Sequence, residues 1–366
     1  MPFSPGPAAP PALPGRWLPE VLIVAGAALD IATPDHLTFT PFFAAAPMTA
    51  AAVRSFRGTL FVGIVSTLAM AVLLIVWDRL PAEQEMLATA TVGTVSVLAL
   101  FTNLLVTERT RQAASARAVA EAVQHAVVPD PPARAGPLAI AARYRAAEND
   151  ALIGGDLYAV VRNRHGVRLM VGDVRGKGLG ATETVAVLLG TFHEAADEAA
   201  DLPELEQRLE STLSREHGRR PTLDGLEGFV TGVLAELPTA GDGPLRVLNR
   251  GHPPPLLLTP GGEVRVLRPS AETPPFGLGD LAVAPARADP VDFPPDATLL
   301  LYTDGLSETR NAEGRFYDPA EALRGKAFPG PEELLDWLLA DTRRYAGGGA
   351  PDDMALLAVR HDPGPV

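Results

Sequence analysis

The sequence predicts an α+β fold, a β-sandwich flanked by helices and preceded by an all-α transmembrane region. Three observations predict it. Residues 58–77 and 86–106 are two runs without a charge, and about twenty such residues at helical rise match about 30 Å of hydrocarbon. From residue 138 onward strand-like segments come in groups, with two helices inserted together and one late, which suits an α+β sandwich better than alternating βαβ units. Aspartates recur beside glycine or near strand ends, in Gly154-Gly155-Asp156, Gly172-Asp173-Val174, Thr303-Asp304-Gly305 and Pro351-Asp352-Asp353. Carboxylates gathered from separate strand ends are how a chain surrounds hard divalent cations, so the pattern points to a metal-dependent hydrolase.

Residues 1–15 are rich in proline and alanine and lack the charged start and cleavage pattern of a secretory signal, so a disordered tail is expected there. Residues 16–106 form the expected transmembrane region. Its two long uncharged runs are spans by length and composition. Two weaker stretches precede them, 17–32 with Glu20 and Asp30, and 38–53 with Pro41 and Pro47; they read as further spans or as interfacial and re-entrant segments. Charge placement favours four spans. Arg16, Arg54, Arg57, Arg109, Arg111 and Arg117 then share one side, with Asp30, Asp35, Asp78, Glu83 and Glu85 mostly opposite, and the C-terminal portion is cytoplasmic.

Residues 107–131 follow as a linker helix that ends at Pro129-Asp130-Pro131-Pro132. Val119, Val123 and Val127 make a narrow stripe along it, which suits either pairing with a second copy in a homodimer or a plain tether. Residues 132–366 are expected to be a single soluble domain. A first strand covers 138–145, and 157–161 with 167–174 form a hairpin around Asn163-Arg164-His165-Gly166. Val185, Leu188, Leu189 and Phe192, then Leu202, Leu205, Leu209 and Leu213, fall at helical spacing and give two helices. Strands are expected at 228–237, 245–248, 255–258, 263–267, 298–303 and 354–360, with a helix at 331–345.

Composition restricts the chemistry. With no cysteine in 366 residues there is no thiolate nucleophile, Cys-rich zinc site or disulfide. The seven histidines form no HExxH motif and no close pair, which leaves oxygen ligands. A net charge of -13 without a basic face argues against a nucleic-acid partner. A protein or a small phosphorylated substrate remains.

Six segments then match a known family in order: IGGDLY at 153–158, GDVRGKG at 172–178, FVTGVLAEL at 229–237, NRGHPPPLLL at 249–258, LYTDGLSE at 301–308 and PDDMALL at 351–357. Together they resemble the SpoIIE- and RsbU-like phosphatases, the bacterial branch of the metal-dependent (PPM) serine/threonine protein phosphatases, over residues 137–361. The N-terminal portion resembles that of membrane-attached actinobacterial relatives. The resemblance implies a PPM-phosphatase β-sandwich holding two Mn²⁺ or Mg²⁺ ions at one end. It assigns Asp156 to the first ion and Asp173 to the bridge between both, with the Val174 carbonyl nearby. Asp304 is the ligand of the TDG motif, and the last ligand is Asp352, with Asp353 as the alternative.

The implied chemistry is hydrolysis by a water that the two cations acidify, without a phosphoenzyme. Gly155 and Gly305 let backbone approach the ions. Arg175 and Lys177 either meet substrate phosphate or solubilise their loop. Asn249 and His252 order a turn before a strand, with substrate positioning or proton transfer as the second reading of His252. The implied partner is a phosphorylated cytoplasmic regulator of the anti-sigma-factor-antagonist type, with the lipid bilayer around the N-terminal region. Two positions depart from the pattern. Ala159 stands where relatives carry a second acidic residue, whose loss would weaken metal affinity if that group supports the metal shell, and Arg250 replaces the alanine of NAGH. A catalytically weak, phosphatase-like binding module is the alternative function, and a hydrolase of small phosphoesters shares the same site.

Overall fold

The computed structural model describes residues 15–33, 39–77, 82–145, 154–164, 166–176, 178–219, 228–238, 243–347 and 353–362. Of the expected N-terminal tail, only Gly15 falls inside them. The chain divides into two compact units, Met1–Ser115 and Ala116–Val366.

The first unit is helical: α1 (Leu18–Ala32), α2 (Thr40–Val53), α3 (Phe56–Trp77) and the start of α4 (Ala82–Val127). Pro19 and Pro41 sit in the first turns of α1 and α2, where a missing N–H costs no intrahelical bond. Phe43, Met70, Leu74 and Val92 pack α2, α3 and α4 together. The buried Asn103 side chain donates to the carbonyls of Ala51 and Arg54, both at 2.9 Å, and so satisfies the end of α2. Two helices are long and apolar enough to cross a membrane, over Phe56–Val76 and Met86–Arg111. At 15 and 14 residues, α1 and α2 rise only about 20 Å, short of the hydrocarbon thickness. The second apolar run and the linker helix expected to leave the bilayer are one helix of 46 residues. No glycine or proline occurs between residues 94 and 127, so nothing interrupts the backbone where the composition turns polar.

The second unit carries β1 (Arg134–Ala135), β2 (Leu138–Arg145), β3 (Asp156–Asn163), β4 (Gly166–Val174), α5 (Leu179–Glu198), α6 (Leu202–Arg219), β5 (Val230–Leu237), β6 (Leu245–Arg250), β7 (Leu256–Leu258) and β8 (Val264–Val266). There follow β9 (Asp289–Val291), β10 (Thr298–Tyr302), α7 (Asp304–Ser307), α8 (Pro319–Leu323), α9 (Pro331–Tyr345) and β11 (Met354–His361). Two antiparallel sheets result, β1-β2-β11-β10-β7-β8 and β3-β4-β5-β6-β9. The expected hairpin, both helices after it and the late helix are all present. The short edge strand β9, which the sequence did not suggest, carries Pro290, and among the described residues it pairs only with β6.

Side-chain alternation explains the layers. In β10 and β11, Leu299, Leu301, Ala355, Leu357 and Val359 join the core shared with β3, β4, β5, α5 and α6. The alternate residues Leu300, Tyr302, Met354, Leu356 and Ala358 pack instead on Leu334, Leu335 and Leu338 of α9. A sheet covered on both faces reads as a continuous apolar run, which is the pattern TLLLY of β10. On β4 the fully buried Arg168 donates to the carbonyls of Ala196 at 2.9 Å and Ala199 at 2.8 Å, and pairs with Glu236 at 2.8 Å. It thereby satisfies the C-terminal end of α5 against the sheet.

Candidate metal centre

The register of β3 and β4 sets Asp156 directly opposite Asp173. Two like charges facing each other across a ladder repel, so this pairing is stable only with positive charge nearby or with a proton retained. On the other side of β4, Thr231 of β5 stands opposite Asp173. The two remaining carboxylates arrive from the second sheet. Thr303 follows β10, and its hydroxyl donates to Asp156 Oδ2 at 2.7 Å while accepting from the Ala355 N–H at 2.8 Å. Its own N–H donates to the Ala355 carbonyl at 3.0 Å. This locks the start of α7 against β11, so Asp304, the first residue of α7, and Asp353, just before β11, face the same space.

Asp156, Asp173, Asp304 and Asp353 line one pocket of about 500 Å³, together with Val174 and Thr231. Two glycines make that convergence sterically feasible. A Cβ on Gly155 would run into the Val174 carbonyl oxygen and come within 3.0 Å of an Asp173 carboxylate oxygen, and one on Gly305 would strike the Asp353 carbonyl. Both therefore occupy positions that only glycine fits.

The donor set suits Mg²⁺ or Mn²⁺. It consists of carboxylate oxygens and a backbone carbonyl, the ligands that hard cations prefer. Asp156 is 2% exposed, and burial, then the charge of Asp173, hold its carboxyl well above the ordinary range. Carboxylates so placed are acceptors whose charge a bound cation would offset. Among the described residues no three Asp, Glu or His side chains already stand at mutual metal-ligand spacing, so the site is a lined pocket and not a closed cage. Asp352, the favoured last ligand, and Lys177 lie outside the described residues, and Asp353 is the member of the pair that lines the pocket.

His252 is built into the frame. Its N–H donates to Asn249 Oδ1 at 2.8 Å, Asn249 Nδ2 donates to the His252 carbonyl at 2.9 Å, and both side chains are buried. Its ring lies 3.0 Å from the Thr231 hydroxyl through Nδ1 and 3.1 Å from the Tyr302 carbonyl through Nε2. A carbonyl only accepts, so Nε2 carries the proton and Nδ1 accepts from Thr231. Burial pulls its pKa down to about 3, which keeps the ring neutral. The geometry favours the turn-ordering reading of His252 and Asn249, with Thr231 held in place as the consequence.

Both departures from the family pattern have structural settings. Ala159 is buried in the apolar core, and strand alternation puts it on the face of β3 opposite Asp156. A carboxylate there would enter apolar packing instead of supporting Asp156. Arg250 is buried too: it pairs with Glu206 and, at 3.1 Å, with Glu210 of α6, donates to Pro275 O at 3.0 Å and stacks 4.8 Å over Phe276. It joins α6 to β6 and to the loop before the 3-10 turn at Gly279–Leu281.

Sequence reasoning missed Thr303, Thr231, Phe229 and Tyr144. The Tyr144 hydroxyl is buried beside Gly154 without a hydrogen-bond partner among the described residues, and burial, then the charge of Asp156, raise its pKa. Thr303 had a signal in its place just before Asp304. Tyr144 had none, because only the pairing of β2 with β11 turns it inward.

A two-layer antiparallel sandwich with carboxylates converging from both sheets defines the class of PPM-type phosphatase folds. The family model for stage II sporulation protein E (SpoIIE) matches residues 163–362, and the chain belongs to that family. Among solved structures, the SiaA PP2C domain of Pseudomonas aeruginosa aligns with a TM-score of 0.55 at 20% identity, over 69% of this chain and 98% of that domain. The RsbU and RsbW domains of a Mycobacterium tuberculosis protein align at 27% identity with a TM-score of 0.46, over 62% of this chain and 61% of that one. The phosphatase domain and regulatory fragment of Bacillus subtilis SpoIIE align at 19% identity with a TM-score of 0.49, over 61% of this chain and 62% of theirs.

Proposed function

We propose that the chain is a membrane-anchored, metal-dependent phosphoprotein phosphatase that hydrolyses phosphoserine or phosphothreonine on a cytoplasmic regulator of the anti-sigma-factor-antagonist type. The observation that carries this reading is the opposition of Asp156 and Asp173 across β3 and β4, with Asp304 and Asp353 facing the same pocket. Asp156, Asp173, Asp304 and the Asp352-Asp353 pair would hold two Mn²⁺ or Mg²⁺ ions, with the Val174 carbonyl as a further oxygen. Such ions, when bound, supply Lewis acidity and acidify water toward neutral pH.

The chain's own groups supply position. Thr303 orients Asp156 through its hydroxyl, and the neutral His252 ring fixes the Thr231 hydroxyl at the pocket wall. Hydrolysis of a phosphomonoester depends chiefly on such positioning and on charge stabilisation. The absence of cysteine agrees with a route that needs no thiol nucleophile. Membrane anchoring is supported by the two long apolar helices, and a cytoplasmic catalytic domain by the arginines that flank them.

The test is phosphate release by the full-length protein in detergent from a phosphoserine peptide. Release should require Mn²⁺ or Mg²⁺ and fall by at least about a hundredfold in Asp173→Asn. Equal rates with and without metal, or in wild type and variant, would overturn the assignment.

A further inference from the structure

Beside the acidic wall of the pocket stands one positively charged side chain among the described lining residues, Arg175. It is exposed, and its guanidinium lies 5.1 Å from the centre of the Phe229 ring. The two residues are also tied through the backbone, the Arg175 N–H donating to the Phe229 carbonyl at 2.9 Å. Although four carboxylates line the same pocket, Arg175 makes no ion pair and no side-chain hydrogen bond with any described residue. The ring therefore holds a cation at the mouth of the site with its N–H fork available to a ligand.

We propose that Arg175, braced by Phe229, is the phosphate-positioning residue of this pocket, binding the non-bridging oxygens of an incoming phosphomonoester dianion. The inference rests on the phosphatase reading and adds the residue that selects a phosphorylated group. Two physical points carry it. A guanidinium matches two phosphate oxygens at once, which an ammonium does not. Stacking on an aromatic face restricts the side chain before ligand arrives, so less conformational entropy is lost on binding.

The full-length protein is assayed with p-nitrophenyl phosphate and with a phosphoserine peptide, which share only the phosphoryl group. Arg175→Ala should raise KM for both by a similar factor of about 10 to 100, the usual worth of a charge-assisted hydrogen bond, and weaken inhibition by inorganic phosphate equally. Mn²⁺ affinity, read by calorimetry, should stay within twofold. Arg175→Lys should recover only part of the loss, and Phe229→Leu should raise KM in wild type but not further in Arg175→Ala. An unchanged KM for both substrates, a loss confined to the peptide, or a fall in Mn²⁺ affinity would each overturn the inference. Wild-type protein that releases no phosphate from either substrate would instead refute the functional reading beneath it.

Discussion

At the scale of single residues the site depends on one hydroxyl more than its motif suggests. Thr303 both donates to Asp156 and accepts from Ala355, so Thr303→Val should leave a buried N–H and a buried carboxylate short of partners. The expected cost is about 1–3 kcal/mol of stability, with a drop in activity of about 10- to 100-fold, and Thr303→Ser should restore most of both. Thermal unfolding and phosphate release on the same preparations check this. His252 makes a pH prediction. Its folded pKa, about 3, lies below the unfolded value of about 6.5, so its contribution is complete above about 6.5 and is lost as pH falls toward 3. Within that window each pH unit should cost up to about 1.4 kcal/mol, and His252→Gln should flatten that part of the stability–pH curve. The aspartates were legible in the sequence because each sits beside glycine or at a strand end. Thr231 and Tyr144 were not, since their roles arise only when strands pair, and Thr303 offered only its place before Asp304.

At the scale of elements, the long strands and the amphipathic helices announced themselves by period. The pieces that escaped are all short: β1 with two residues, β9 with three, α7 with four and α8 with five. The run of α4 out of the second apolar stretch was legible, because a change from apolar to polar composition marks a change of solvent and not a break in the backbone. Arg250 illustrates how one side chain fixes an element. It joins α6 to β6, and burial lowers its pKa to about 10, so it remains charged at neutral pH between Glu206 and Glu210. Arg250→Ala should destabilise the second unit by about 3–5 kcal/mol, because the nearly buried Glu206 loses its countercharge. Arg250→Met combined with Glu206→Gln should recover part of that loss, as measured by thermal unfolding. The sequence flagged Arg250 as a departure, but its role depends on helix residues 40 and 44 positions away along the chain.

At the scale of the whole molecule, one chain joins a helical unit bearing two apolar helices to a sandwich of the SpoIIE family. The sandwich and the order of its motifs were readable from the sequence because strand-like runs come in groups with the helices inserted between them and the aspartates recur in a fixed sequence. The convergence of those aspartates was not readable from spacing, since Asp156 and Thr303 are 147 positions apart and meet only through sheet packing. The binding-module alternative drew on Ala159, which lies on the face of β3 opposite Asp156, so its small size gives no reason to expect a failed metal shell. What separates an enzyme from a binding module is whether the carboxylates take up cations together. Calorimetric titration of the full-length protein with Mn²⁺ tests this most directly. The wild type should bind two ions and Asp173→Asn should lose at least one, whereas no uptake by the wild type, or an unchanged titration of the variant, would contradict the shared metal centre.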